Sequence, residues 1–128
     1  MLPSLGTVMV VDDDEPLRIL LEIYLRKFGY VPLLAEDGAT ALELAEAHPE
    51  TDAIILDLVM GGISGDELAQ ELAARLPNAA MLFCSGHPPQ ELARLKLNVP
   101  IAQFMQKPCR PDSLRQHLEQ IFAARAAA

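Results

Sequence analysis

Cysteine is scarce in this chain. Only Cys84 and Cys109 occur among its 128 residues. Two are too few for a disulfide framework, and neither stands in a C-x-x-C or other metal-ligand spacing. Reduced thiols in a cytosolic protein are the expectation. Positive charge is scarce as well: 10 Lys and Arg stand against 18 Asp and Glu, for a net charge of −8. That argues against a nucleic-acid surface, which needs clustered Lys and Arg, so no direct nucleic-acid partner is expected. Acidity itself names no partner. No apolar run approaches the about 18 residues of a membrane span. The start, Met1-Leu2-Pro3-Ser4, lacks the basic residues and long apolar core of a signal peptide. A cytoplasmic chain without membrane contact is expected. No linker, repeat or low-complexity stretch divides it, so residues 1–128 read as one domain with its core at 7–123.

Hydrophobic residues make up 51% of the chain, enough for a real core. The central stretch is Ala53-Ile54-Ile55-Leu56-Asp57, followed by a glycine-rich turn, Gly61-Gly62-Ile63-Ser64-Gly65. Four apolar residues in a row suit a strand buried on both faces. A carboxylate at its end is costly to bury unless something pairs with it. Similar short runs occur at 7–11, 30–35, 80–84 and 101–106. The second contains Pro32, which removes a ladder donor and places that strand at a sheet edge.

Helical patterns alternate with these runs. Asp14 can cap the first helix, with Pro16 in its first turn and Leu17, Leu20, Leu21, Tyr24, Leu25 and Phe28 as its inward residues. Gly29 ends it. A second helix opens at Asp37-Gly38 and closes at His48-Pro49. A third covers 65–76 with Leu68, Leu72 and Leu76 inward. A short fourth is expected over 90–97, and a last one starts at Pro111, with residues 126–128 as a frayed tail. Five alternations of strand and helix specify an α/β fold, a flavodoxin-like doubly wound five-stranded parallel sheet of order 2-1-3-4-5 with five helices.

In such sheets ligands bind beyond the carboxyl ends of the strands. Those ends carry Asp12 and Asp13, Asp57, Ser85 and Lys107. Three carboxylates together repel unless a cation intervenes. An all-oxygen set favours a hard ion, Mg²⁺ or Mn²⁺. A carboxylate can also act as a nucleophile and form an aspartyl phosphate. Asp57, alone on its strand, is the candidate acceptor, with Asp12 and Asp13 holding metal. Lys107 would pair with Asp57 at rest and with the phosphoryl group afterwards, and Ser85 would donate a hydrogen bond to a phosphoryl oxygen.

From Val8 to Phe122 the chain resembles the receiver domains of two-component response regulators. The matching motifs are Val10-Val11-Asp12-Asp13, Asp57-x-x-Met60-x-x-x-x-Gly65, Ser85-Gly86 and Lys107-Pro108. The resemblance implies that Asp57 takes a phosphoryl group from a phosphohistidine in a histidine kinase or histidine phosphotransfer protein. It implies that the Val59 carbonyl completes the metal shell and that the Lys107-Pro108 bond is cis. It also implies a switch pairing Ser85 with Phe104, and a downstream protein target reached through the fourth helix, fifth strand and last helix. The protein would act as a monomer or a phosphorylation-dependent dimer, and not as an enzyme on other substrates.

Departures from that family are Gly61-Gly62 where proline usually follows the methionine, Phe104 where tyrosine is commoner, and Pro88-Pro89 before a short fourth helix. The Phe83-Cys84-Ser85-Gly86-His87 run resembles receivers of hybrid histidine kinases. Plainer readings stand beside these. Asp12 and Asp13 could cap a helix, Ser85 could be a turn serine, and Phe104 is equally explained as core. His87 reads as a solvated loop residue and Cys109 as incidental. Two other functions fit parts of the chain. Asp12-x-Asp14 matches the first motif of haloacid-dehalogenase-type phosphohydrolases, and a pseudo-receiver would dock partners without being phosphorylated.

Overall fold

The computed structural model describes residues 4–57, 65–85 and 102–127. Five strands, β1 (Gly6–Val11), β2 (Tyr30–Ala35), β3 (Ala53–Asp57), β4 (Ala80–Ser85) and β5 (Ala102–Gln106), form one parallel sheet in the order β2-β1-β3-β4-β5. Four helices are described: α1 (Glu15–Lys27), α2 (Gly38–Ala47), α3 (Gly65–Arg75) and α4 (Pro111–Ala127). The helix expected over 90–97, the turn at 58–64, Val59 and His87 lie outside the described residues. Pro32 sits on edge strand β2, opposite Val8.

Alternation along the strands divides the core into two layers. Val8, Val10, Ile55, Leu82, Cys84 and Met105 pack with Leu21 and Leu25 of α1 and Leu114, Leu118 and Ile121 of α4. Met9, Val11, Ile54, Leu56, Met81 and Phe83 pack with Ala41 and Ala45 of α2 and Leu68 and Leu72 of α3. The strand runs lack polar alternation because helices cover both faces.

Local details differ from the sequence expectations in three places. Leu20 is 38% exposed rather than inward, beside exposed Ile19 and Ile23. Seven of the nine residues from Leu17 to Leu25 are apolar, so more candidates compete than one helical stripe can bury. Asp14 occupies the N-cap of α1 but its side chain makes no capping bond. Its own N–H is bound instead by Asp12 Oδ1, at 2.9 Å. The alanines at the end continue α4 to Ala127, as their helix preference allows. Other boundaries follow local chemistry. The Asp37 carboxylate accepts from the Thr40 N–H at 2.8 Å and caps α2. Gly29 follows α1 with φ 97°, a left-handed conformation that favours glycine.

Candidate functional site

The parallel register brings the carboxyl ends of β1, β3, β4 and β5 to one edge. Val11 pairs with Leu56, Asp57 with Cys84, and Ser85 with Gln106. Each strand therefore hands its next polar residue to the same rim. Asp12 is 2% exposed and Asp57 3%, whereas Asp13 is exposed. One carboxylate oxygen from each of the three lies within 4.8 Å of the others. That is an all-oxygen donor set of the size and charge a hard divalent ion uses.

Lys107 closes the cluster. It stands just past β5 at a cis Lys107-Pro108 bond. Its ammonium is 3.2 Å from Asp57 Oδ2 and 3.3 Å from Asp12 Oδ2. The pairing with Asp57 expected from the sequence is present, and the same ammonium is shared with buried Asp12. Burial disfavours its charge, but the fields of Asp12 and then Asp57 outweigh that and hold the ammonium above its ordinary range. Burial, by contrast, raises the Asp12 carboxyl. The Asp14 N–H and Lys107 pull it down and Asp57 pushes it up further, and the net direction is upward. Burial is the largest of these influences, so the Asp12 charge is held chiefly against the cost of leaving water.

One contributor was missed in the sequence. The Arg18 guanidinium donates to the Asp12 backbone carbonyl at 2.8 Å, tying α1 to the end of β1. Arg18 shows only helix-surface spacing, so nothing in the pattern singles it out. Ser85 is the last residue of β4, at the same rim, and its side chain lies outside what is described. Phe104 pairs with Phe83 across β4 and β5 and packs, partly buried, against the layer facing α2 and α3. Cys109, read as incidental, is buried with its sulfur 2.7 Å from that of Cys84.

Asp14, the second acid of the Asp12-x-Asp14 motif, is exposed and outside the acidic cluster found among the described residues. The phosphohydrolase reading thereby loses its second acid.

Comparison with known proteins agrees with this architecture. The chain is 33% identical over 107 residues to the transcriptional regulatory protein FixJ of Azorhizobium caulinodans, covering 84% of this chain and 50% of that protein. It is 28% identical over 109 residues to a cyclic di-GMP phosphodiesterase of Thermotoga maritima, covering 85% of this chain and 29% of that protein. The chain thus spans a third or less to half of the length of these curated relatives. Among solved structures, the receiver domain of the hybrid histidine kinase CckA superposes with a TM-score of 0.78 at 29% identity, over 91% of this chain and 99% of that one. Residues 8–119 match the response regulator receiver domain, and the chain belongs to that family.

Proposed function

We propose that Asp57 is the phosphoacceptor of this two-component receiver, taking its phosphoryl group from a phosphohistidine of a histidine kinase or histidine phosphotransfer protein. The observation that carries this is the buried Asp57 carboxylate, flanked by two more carboxylates and bound to the Lys107 ammonium at the carboxyl edge of the sheet. A carboxylate oxygen of Asp57 attacks phosphorus, the P–N bond breaks, and the imidazole leaves with the electron pair and takes up a proton. The Lys107 ammonium, already within reach of Asp57 Oδ2, then faces the phosphoryl oxygens. Ser85, at the end of β4, donates to one of those oxygens.

Asp12, Asp13 and Asp57, with the Val59 carbonyl, would hold Mg²⁺, or Mn²⁺ in its place; all-oxygen donors within 4.8 Å of one another fit such an ion. When bound, the ion neutralises charge developing on the phosphoryl oxygens. Three carboxylates set beside one ammonium support this assignment, because a divalent ion would offset their mutual repulsion.

The chain acts on its own phosphorylation state and on no separate substrate. Its output is a change in contact with a downstream protein, through Ser85 and Phe104 as the moving pair, in a monomer or a phosphorylation-dependent dimer. Residues 1–128 form one receiver domain, either self-standing or part of a longer protein of the hybrid-kinase type. A cytoplasmic location fits the histidine-kinase donor; among the described residues no helix is long and apolar enough to cross a membrane.

With Mg²⁺ and acetyl phosphate, the wild-type chain gains one labile phosphoryl group and Asp57→Asn gains none. Equal labelling of the two would overturn the assignment.

A further inference from the structure

Two thiols with no part in phosphoryl chemistry meet beside this site. Cys84 is next to last in β4 and pairs in register with Asp57. Cys109 lies two positions past Lys107. They are 25 residues apart in sequence, yet their sulfurs are 2.7 Å apart, and both are free. That gap exceeds an S–S bond of about 2.05 Å by only about 0.7 Å. Both side chains are held in the core layer formed with Met105 and Leu114. A pair that close needs little motion to become bonded.

We propose that Cys84 and Cys109 form a reversible intramolecular disulfide on exposure to a peroxide, tying the end of β4 to the segment that carries Lys107. Cys109 is 6% exposed and Cys84 1%, so Cys109 meets the oxidant first. Its sulfur attacks the peroxide, the O–O bond breaks, and a sulfenic acid and one water result. The Cys84 sulfur then attacks the sulfenic sulfur, the S–O bond breaks, and a second water leaves with the Cys84 proton. Two thiols and one hydrogen peroxide become one disulfide and two waters. A dithiol reductant reverses the bond by exchange. Disulfides in reducing compartments are characteristically of this transient, redox-sensing kind.

The consequence for signalling rests on the phosphoacceptor reading of Asp57. Lys107 has to turn from the two carboxylates toward the incoming phosphoryl group, and Ser85 adjoins Cys84. A covalent tie between the two segments restrains both, so the oxidised chain is phosphorylated several-fold more slowly.

The test treats the full chain with hydrogen peroxide, follows intact mass, and maps peptides without reduction. The expected result is a loss of two hydrogens, a linked Cys84–Cys109 peptide pair, and full return on adding dithiothreitol. Cys84→Ser and Cys109→Ser each fail to lose the two hydrogens. Two thiols that stay open to alkylation after denaturation, products limited to sulfinic or sulfonic acids, or only intermolecular cross-links would overturn the bond. Acetyl phosphate labelling of oxidised and reduced wild type then reads the coupling. Equal rates would overturn it. Labelling of neither form would instead fault the acceptor assignment, and the peptide map would still decide the bond.

Discussion

Replacing Lys107 with methionine keeps much of the side-chain volume and removes the ammonium shared by the two buried acids. In the wild type the ammonium lies 3.2 Å and 3.3 Å from Asp57 and Asp12. At an effective dielectric of 20, each contact has a gross attraction of about 5 kcal/mol. The net is far smaller. Part of that attraction offsets repulsion between the two carboxylates, and part offsets the partial desolvation of an ammonium that is still 28% exposed. Breaking a buried pair by deleting one partner costs about 3–5 kcal/mol. Partial exposure places Lys107→Met at the low end, about 3 kcal/mol at neutral pH without divalent ions. The deficit also has a pH signature. The Asp12 carboxyl is already raised above its ordinary 3.8, so its charge opposes folding above that folded-state value and costs nothing below the unfolded one. Losing Lys107 raises it further, and the deficit shrinks as pH falls from neutral through this elevated range. Urea denaturation of both chains across that range measures it. A loss below about 1 kcal/mol at neutral pH, or one that does not change with acid, would refute the electrostatic account.

Other consequences are simpler to read. Leu72→Ala opens a cavity between α3 and the sheet at a fully buried position, and should cost about 3 kcal/mol by denaturant unfolding. If Asp13 holds the ion as proposed, Asp13→Asn removes the exposed member of the acidic cluster while sparing the buried pair, so Mg²⁺ affinity by calorimetric titration should fall roughly tenfold with the fold intact. Arg125→Ala severs α4 from Asp52, 3.3 Å away, and from the Asn78 carbonyl. It should lower stability by about 1 kcal/mol, measured as a shift in thermal midpoint.

Much of this was legible in the sequence because parallel strands covered on both faces read as unbroken apolar runs. Val8–Val11, Ala53–Leu56 and Ala80–Cys84 are such runs, and Pro32 marks the edge. Once strands alternate with helices, the sheet gathers the strand-end residues Asp12, Asp57 and Lys107 without any long-range information. Relations depending on side-chain reach were not legible. Arg125 shares the spacing of the buried stripe on α4, but it holds Asp52, which in turn accepts from the Thr7 N–H at 2.9 Å. Arg18 on α1 reaches back to the Asp12 carbonyl. The phase of α1 failed at Leu20 because an excess of apolar residues offers more than one inward face. The meeting of Cys84 and Cys109 depends on where the chain turns after β5, and no local pattern encodes it.

The central claim is that Asp57 carries the phosphoryl group. Treating the phosphorylated chain with borohydride reduces an acyl phosphate to the alcohol, so the acceptor is converted to homoserine and can be found by peptide mass spectrometry. The account predicts homoserine at position 57 alone. Homoserine at position 12 or 13, or a phosphoryl group that survives on a histidine, would contradict it.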